Sequence, residues 1–434
     1  MTQPVLGILT LYLNDAGALE ERSYYEKLTR EGRSLGIEVI VFTPEDVDFQ
    51  TDQVRAQAYV PETGAWKRIS AALPRMVFDR CRRQRSRRYE RLLHFRSRYK
   101  HLTYLNRPLR NKWAVYNLLS KDSRYKQYLP QTRYVEGAGD VRAMLQTYPL
   151  VYLKPIAGTG GRGILRIEKT PSGELLVQGR DLSRRIIPPR KLSMEALNGY
   201  IARLSRKSVR YIVQQGIGLK LSNGRVHDYR MLVQKNGAGE WKVTGCAGRI
   251  GAAGSITANL HGGGKAVRMN DLLKQWLRDQ RRIALVKQEA EQFGVGLASY
   301  LELCCGALCE LAVDFAVDRN GRIWLIEVNP KPAREVFRQA GEQDVYRNAI
   351  ARPLEYALWL WKSALQDKKN AAGGSIRTDG GLPESAKPAD AAAPELRTAV
   401  SDPAGAAPRP GPAGKLVPVR RNCRPSGRTP PSAR

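Results

Sequence analysis

Two short runs of β-branched and apolar residues, Val151-Tyr152-Leu153 and Ile164-Leu165-Arg166-Ile167, flank a loop with four glycines in six positions: Gly158, Gly160, Gly161 and Gly163. With Thr159 and Arg162 the loop formally satisfies G-x-G-x-x-G. A dinucleotide fingerprint of that spelling must open a helix, because the helix N-terminus holds the pyrophosphate. The residues after Gly163 instead read as strand. A P-loop is excluded as well, since its lysine follows the last glycine and here Lys154 precedes the first. Strand, glycine loop, strand is a hairpin flap led by a lysine.

The 434 residues are enough for two or three domains, and 42% hydrophobic content is that of a globular chain. No run of roughly 18 apolar residues occurs, so no membrane span is expected. The opening MTQPVLGILTLYLN has no basic n-region or small-residue cleavage site, which points to a cytoplasmic location. Cys304, Cys305 and Cys309 form the one cysteine cluster; without a second pair or nearby histidines they read as small buried hydrophobes rather than a zinc site. The net charge of +31 concentrates between Arg80 and Lys100, where only Glu90 is acidic. Such a run can grip phosphates. The alternative, a solvated helix face resting on Tyr89, Leu92, Leu93 and Phe95, is the reading adopted, so nucleic acid is not an expected partner.

Val5–Thr10 and Gly36–Thr43, separated by a helix-like segment from Leu19 to Leu35, predict a β-α-β opening of Rossmann-like kind. Strand-like pieces follow at Gln57–Tyr59 and Arg75–Phe78. Residues 1–105 are thus expected to form a small α/β domain, and 106–368 a second domain in which the chemical motifs cluster. From residue 369 the chain holds eleven of its 25 prolines and few large apolar groups, the composition of a disordered tail.

The second informative stretch is AVDFAVDRNGRIWLIEVNPKPAR, Ala312 to Arg334. Asn320-Gly321 between apolar runs predicts a two-residue hairpin turn. That turn pairs Arg319 with Arg322 and, counting outward, Asp314 with Glu327. Alternation puts Val313, Phe315, Val317, Trp324, Ile326 and Val328 on the core face and Asp314, Glu327 and Asn329 on the other. Two carboxylates and an amide oxygen suit a hard cation such as Mg²⁺. A solvated polar face gives the same alternation, but opposed like charges destabilise a sheet, and a cation gives the pair a reason to exist. Between flap and hairpin lie three further pieces. The strand Tyr211–Ile217 can set backbone groups against an adenine edge. Asp228 and Arg230, spaced to share one face, suit a ribose hydroxyl and phosphate oxygens or, equally, a surface ion pair. Arg249 precedes a glycine-rich loop with Thr257 and Asn259 that can approach a phosphate closely.

In this order the pieces resemble the ATP-grasp superfamily over roughly residues 106 to 335, and within it the endospore coat-associated YheC/YheD family, through LGILT, YLKP with its flap, VQQGI, HDYR and IEVNPKP. The resemblance implies an α/β chain, α+β in its catalytic part: an ATP-grasp fold behind an N-terminal Rossmann-like pre-ATP-grasp domain. It further implies that ATP lies under the flap of Gly158, Thr159, Gly160, Gly161 and Gly163, with Lys112 and Lys154 on its α- and β-phosphates. Gln214, Gln215, Gly216 and Ile217 become the adenine hinge, Asp228 a ribose ligand and Asn259 a phosphate ligand. Asp314, Glu327 and Asn329 become ligands of one or two Mg²⁺ ions, with Mn²⁺ as the alternative. Arg230 and Arg249 become the catalytic pair that holds the transferring phosphoryl group. The implied activity is an ATP-dependent ligase joining a carboxylate to an amine or thiol through an acyl phosphate. A non-catalytic ATP-binding component of a spore layer is the alternative, with spore-coat proteins as partners. Thr257-Ala258 stand where the ribosomal-protein glutamate ligase branch has Arg-Ser, so that branch's substrate is not implied. A protein kinase is not indicated: no glycine follows Asp314-Phe315 and no H-R-D occurs.

Overall fold

The computed structural model describes residues 3–82, 86–158, 160–205 and 209–373, which belong to one compact unit. Three sheets organise it. The first comprises β1 (Val5–Leu9), β2 (Glu38–Phe42), β3 (Val47–Asp48), β4 (Gln53–Val60), β5 (Ala65–Ala72), β6 (Met76–Asp79) and β7 (Thr103–Tyr104). Its order is β3-β4-β2-β1-β6-β7, with β5 hairpinned onto β4. β1 and β2 are parallel and joined through the helix Arg22–Ser34, so the β-α-β opening is present as expected. Apart from half-buried Val5 the apolar side chains of β1 and β2 are buried, as a parallel strand covered on both sides requires.

The basic run meets its expectation in part, with Leu92 and Phe95 buried under a helix, and departs from it at two arginines. Arg80, at the end of β6, has no exposure; its guanidinium donates to Glu21 and, at 2.7 Å, to Glu310. Arg96, on the helix Arg87–Arg98, pairs at 2.6 Å with buried Asp79. Among the described residues of this helix Arg87, Arg91 and Arg98 are exposed, as a solvated helix face requires. Arg80 and Arg96 are the described members turned inward, where burial demands a carboxylate partner.

The second sheet is antiparallel and ordered β12-β11-β10-β9-β13-β8. It contains β8 (Thr132–Val135), β9 (Leu150–Pro155), β10 (Leu165–Lys169), β11 (Leu175–Arg180), β12 (Ile186–Leu192) and β13 (Tyr211–Gln215). β9 and β10 pair with Leu153 opposite Leu165, which makes the glycine loop the tip of a hairpin. Val151, Leu153, Ile167 and Val213 face a core shared with the helices Ala138–Thr147 and Met194–Ser205. By alternation Tyr152, Lys154 and Gln214 face the other way.

The third sheet, β16-β15-β14-β17-β18, holds β14 (His227–Lys235), β15 (Trp241–Ile250), β16 (Lys265–Arg268), β17 (Glu310–Val317) and β18 (Ile323–Asn329). One face buries Tyr229, Met231, Val313 and Phe315 against the helices Met269–Leu277 and Gln280–Cys305. The opposite face is covered at Leu232 and Ala247 by a core that includes β1 and the last helix, Gln343–Gly373. Its remaining end carries Asp228, Arg230, Arg249, Asp314 and Glu327. That last helix runs beyond residue 368, where a tail was expected to begin; the remainder of the expected disordered tail lies outside the described residues. No described helix is long and apolar enough to cross a membrane.

The β17–β18 hairpin reaches the expected pairing by an unexpected route. Val317 pairs with Ile323, and Asp318 and Arg322 close a three-residue loop in which Gly321 has φ 83°. This is a longer connection with glycine in the left-handed region, not a two-residue turn. A bulge between Phe315 and Asp314 then shifts the register by one, so Asp314 does stand opposite Glu327. The shift changes the inward set: Ile323 and Leu325, rather than Trp324 and Ile326, join the core.

Candidate functional site

The free end of the third sheet bears a lattice of charges. Arg230 on β14 is paired with Asp314 on β17, which is paired with Glu327 on β18; in the next row Asp228 stands opposite Arg249 on β15. Arg230 donates two bonds of 2.8 Å to Asp314. Arg249 donates bonds of 2.6 and 2.8 Å to Asp228 and contacts Asp314 at 3.0 Å. Burial pushes the Asp314 carboxyl up, but the two guanidinium groups outweigh it and hold the group at about 2. Asp314 is thus an ionised carboxylate. His227, by contrast, turns to the core face, where its ring meets Trp276 edge-on at 4.3 Å.

The lysine flap faces this lattice. Lys112, the first residue of the helix Lys112–Ser120 capped by Asn111, donates to the Gly158 carbonyl at 2.7 Å and meets Glu327 Oε1 at 3.0 Å. Lys154 on β9 donates to Gln214 Oε1 at 2.6 Å. Burial draws its ammonium down to about 8, Glu327 and Asp228 pull it back up, and Lys112 adds to the depression. Two lysines from one side and the carboxylates Glu327 and Asp228 from the other therefore share one field.

The loop after Arg249 closes the remaining side. A Cβ placed on Gly161 would stand 3.1 Å from Asn259 Nδ2 and 3.8 Å from Thr257 Oγ1, so flap and loop are in contact. Gly160, Gly161 and Gly163 have φ of 68°, 76° and 68°, a conformation glycine adopts without strain. Thr159 lies outside the described residues.

The hinge is placed less simply. The N–H groups of Gln215 and Gly216 go to the carbonyls of Gln131 and Leu150, each at 2.8 Å, and the Gln215 side chain accepts from Gln131 N–H. Among the described residues the Ile217 N–H has no partner. Gly216 is packed so closely that a Cβ would lie 2.2 Å from Leu150 Cγ. The Gln214 side chain turns away from the hinge to Lys154 and Thr132. Thr132 was not singled out in the sequence, since PQTRYV reads as an ordinary strand.

Residues for a cation fit in kind. Asp314, Glu327 and the Asn329 amide are hard oxygen donors, and Asn329 lies on β18 opposite Ala312, one row from the paired carboxylates. Asn329 Oδ1 already accepts the Lys331 N–H at 3.0 Å, and each carboxylate has a basic partner that an ion would have to share. No group of three or more His, Cys, Asp or Glu residues gathers among the described residues, so this is not an acidic cage.

Comparison with known proteins gives the family. A model described as YheC/D like ATP-grasp matches residues 101–360. The endospore coat-associated protein YheC of Bacillus subtilis (strain 168) is 26% identical over 342 residues, spanning 77% of this chain and 92% of that protein. YheD of the same organism, also an endospore coat-associated protein, is 25% identical over 370 residues, 83% of this chain and 80% of that one. Among solved structures, D-cycloserine synthetase DcsG matches with a TM-score of 0.48 and 15% identity, over 81% of this chain and 99% of that one. The family match takes in the flap, both facing sheets and the Asp314–Glu327 pair, and covers more than half of the sequence: the protein belongs to the YheC/D-like ATP-grasp family and has the mixed α/β ATP-grasp fold.

Proposed function

We propose that the protein is an ATP-dependent ligase that joins a carboxylate to an amine or thiol in an endospore-coat setting. One observation carries this reading: Lys112 touches both the flap carbonyl of Gly158 and the Glu327 carboxylate, so phosphate-binding and cation-binding groups line one cleft. The coat setting is taken from the names of the Bacillus relatives.

In this reading Lys154 and Lys112 neutralise the α- and β-phosphates, and the flap amides and Asn259 close over them. Ile217 offers its N–H to adenine, and Asp228 faces the ribose side. Asp314, Glu327 and Asn329 would hold Mg²⁺ or Mn²⁺, which when bound supplies charge neutralisation at the β- and γ-oxygens. A substrate carboxylate oxygen attacks the γ-phosphorus; the bond from that phosphorus to the β-bridging oxygen breaks, and ADP leaves. The amine nitrogen or thiol sulfur then attacks the acyl carbon, the carbon–oxygen bond to phosphate breaks, and phosphate and a proton depart. Arg230 and Arg249, whose forks Asp314 and Asp228 hold, would orient the transferring group by exchanging part of those contacts for its equatorial oxygens.

A second reading has its own support. Both oxygens of Asp314 are already held by arginines, an arrangement that also suits a coat component that binds nucleotide without turning it over. An unbiased screen of acids, amines and peptides for substrate-dependent ADP release separates the two. Ligation requires release that disappears in Asp314→Asn and Glu327→Gln. Tight ATP binding with no release from any pool favours the assembly reading, and turnover retained in both variants overturns the site assignment.

A further inference from the structure

We propose that Gln214 is a positioning residue for Lys154, holding its ammonium toward the cleft with an uncharged acceptor. Lys154 lies opposite Ile212 on β13, and Gln214 is its diagonal neighbour on the same face. The amide is held at both ends: Oε1 accepts from Lys154 at 2.6 Å, while Nε2 donates to Thr132 Oγ1 at 3.0 Å. Thr132 Oγ1 in turn donates to the Pro130 carbonyl at 2.8 Å. Gln214 and Thr132 are 8% and 4% exposed, so this relay is an internal structure rather than a surface contact.

The direction of the chain matters. Because Pro130 takes the threonine hydrogen, the hydroxyl oxygen must accept from the amide nitrogen, which fixes the glutamine oxygen toward Lys154. A buried ammonium normally recruits a carboxylate. Here it receives an amide, and the charge stays available to an incoming phosphate. The charged groups that face Lys154 are Glu327 from β18, Asp228 from β14 and Lys112 from its helix; the Tyr152 ring lies 5.6 Å from Nζ on the same strand. The carboxylates lie on the far side of the cleft, where they can be screened by a bound cation or nucleotide. The amide is the fixed near-side contact.

This inference rests on the nucleotide reading for its purpose but not for its geometry, so the test has two arms. The first is competitive acetylation of the full chain without nucleotide, following Lys154 by mass spectrometry across pH. Wild type should show a midpoint near 8. Gln214→Glu should raise it by more than about half a unit, and Gln214→Leu should lower it, because the charged form loses an acceptor. The second arm is ATP and adenosine affinity. Gln214→Leu should weaken ATP about tenfold, the scale of one hydrogen bond to a charged group, and change adenosine less than about twofold. Added to Lys154→Ala, it should cost almost nothing more. A Lys154 midpoint that does not move in either variant overturns the proposal, as does equal loss of adenosine and ATP, which would make Gln214 an adenine contact. If wild type binds no ATP, the nucleotide reading fails while the acetylation arm still decides this one.

Discussion

The Lys112 ammonium and the Glu327 carboxylate meet at 3.0 Å across the cleft, and the same ammonium holds the Gly158 carbonyl of the flap. The pair is partly exposed, so it contributes little to folding, on the order of 1 kcal/mol or less. Lys112→Met is therefore expected to leave the denaturation midpoint almost unchanged. Its nucleotide affinity should nevertheless fall about tenfold or more, the scale of losing a charged hydrogen bond to phosphate. Parallel urea unfolding and calorimetric titration with ATP check both halves.

Arg249 carries a different burden. It is buried between Asp228 and Asp314, and its removal strands Asp228 without its bidentate partner and leaves Asp314 to Arg230 alone. Arg249→Met should destabilise by about 3–5 kcal/mol, and the double variant with Asp228→Asn should recover part of that loss. Urea unfolding of the two singles and the double gives the cycle directly.

The Asp314 carboxyl, held at about 2, gives a pH signature of known sign. Its folded pKa is depressed, so its contribution of about 2–3 kcal/mol is complete above about pH 5 and is lost as pH falls toward 2. Asp228, pushed up by burial, contributes with the opposite sign. The comparison is therefore wild type against Asp314→Asn: the acid slope of stability between pH 5 and 2 should be shallower in the variant.

Gly216 is a packing glycine. An added Cβ would lie 2.2 Å from Leu150 Cγ and 2.9 Å from its carbonyl oxygen. Gly216→Ala should cost about 1–3 kcal/mol or more. Leu150→Ala should relieve only part of it, because the backbone oxygen stays; denaturation of both variants and the double tests this.

How much of this was legible beforehand varies by the kind of signal. Alternation and turn chemistry are local, so the flap hairpin, the β-α-β opening and the Asp314–Glu327 pairing could be read from residue order. The pairing was reached through a two-residue turn, whereas a three-residue loop and a compensating bulge produce it; a bulge leaves no mark in a pattern of apolar residues. Arg80 shows the limit more clearly. Its partners Glu21 and Glu310 are remote in sequence, and a basic run looks the same whether it faces water or a buried carboxylate. Gln214 sat correctly at the end of its strand, but which way its side chain turned depended on Lys154 and Thr132 from two other strands.

The account stands on one cleft serving both the lysines of the flap and the carboxylates of the third sheet. Its most direct test is a crystal structure of the full chain with a non-hydrolysable ATP analogue and Mn²⁺, read by anomalous scattering. The account predicts a manganese peak in coordination range of Asp314 and Glu327, roughly 2.0–2.3 Å from an oxygen of each, with the triphosphate contacting Lys154 Nζ. A nucleotide bound elsewhere, or a manganese site away from both carboxylates, would contradict it.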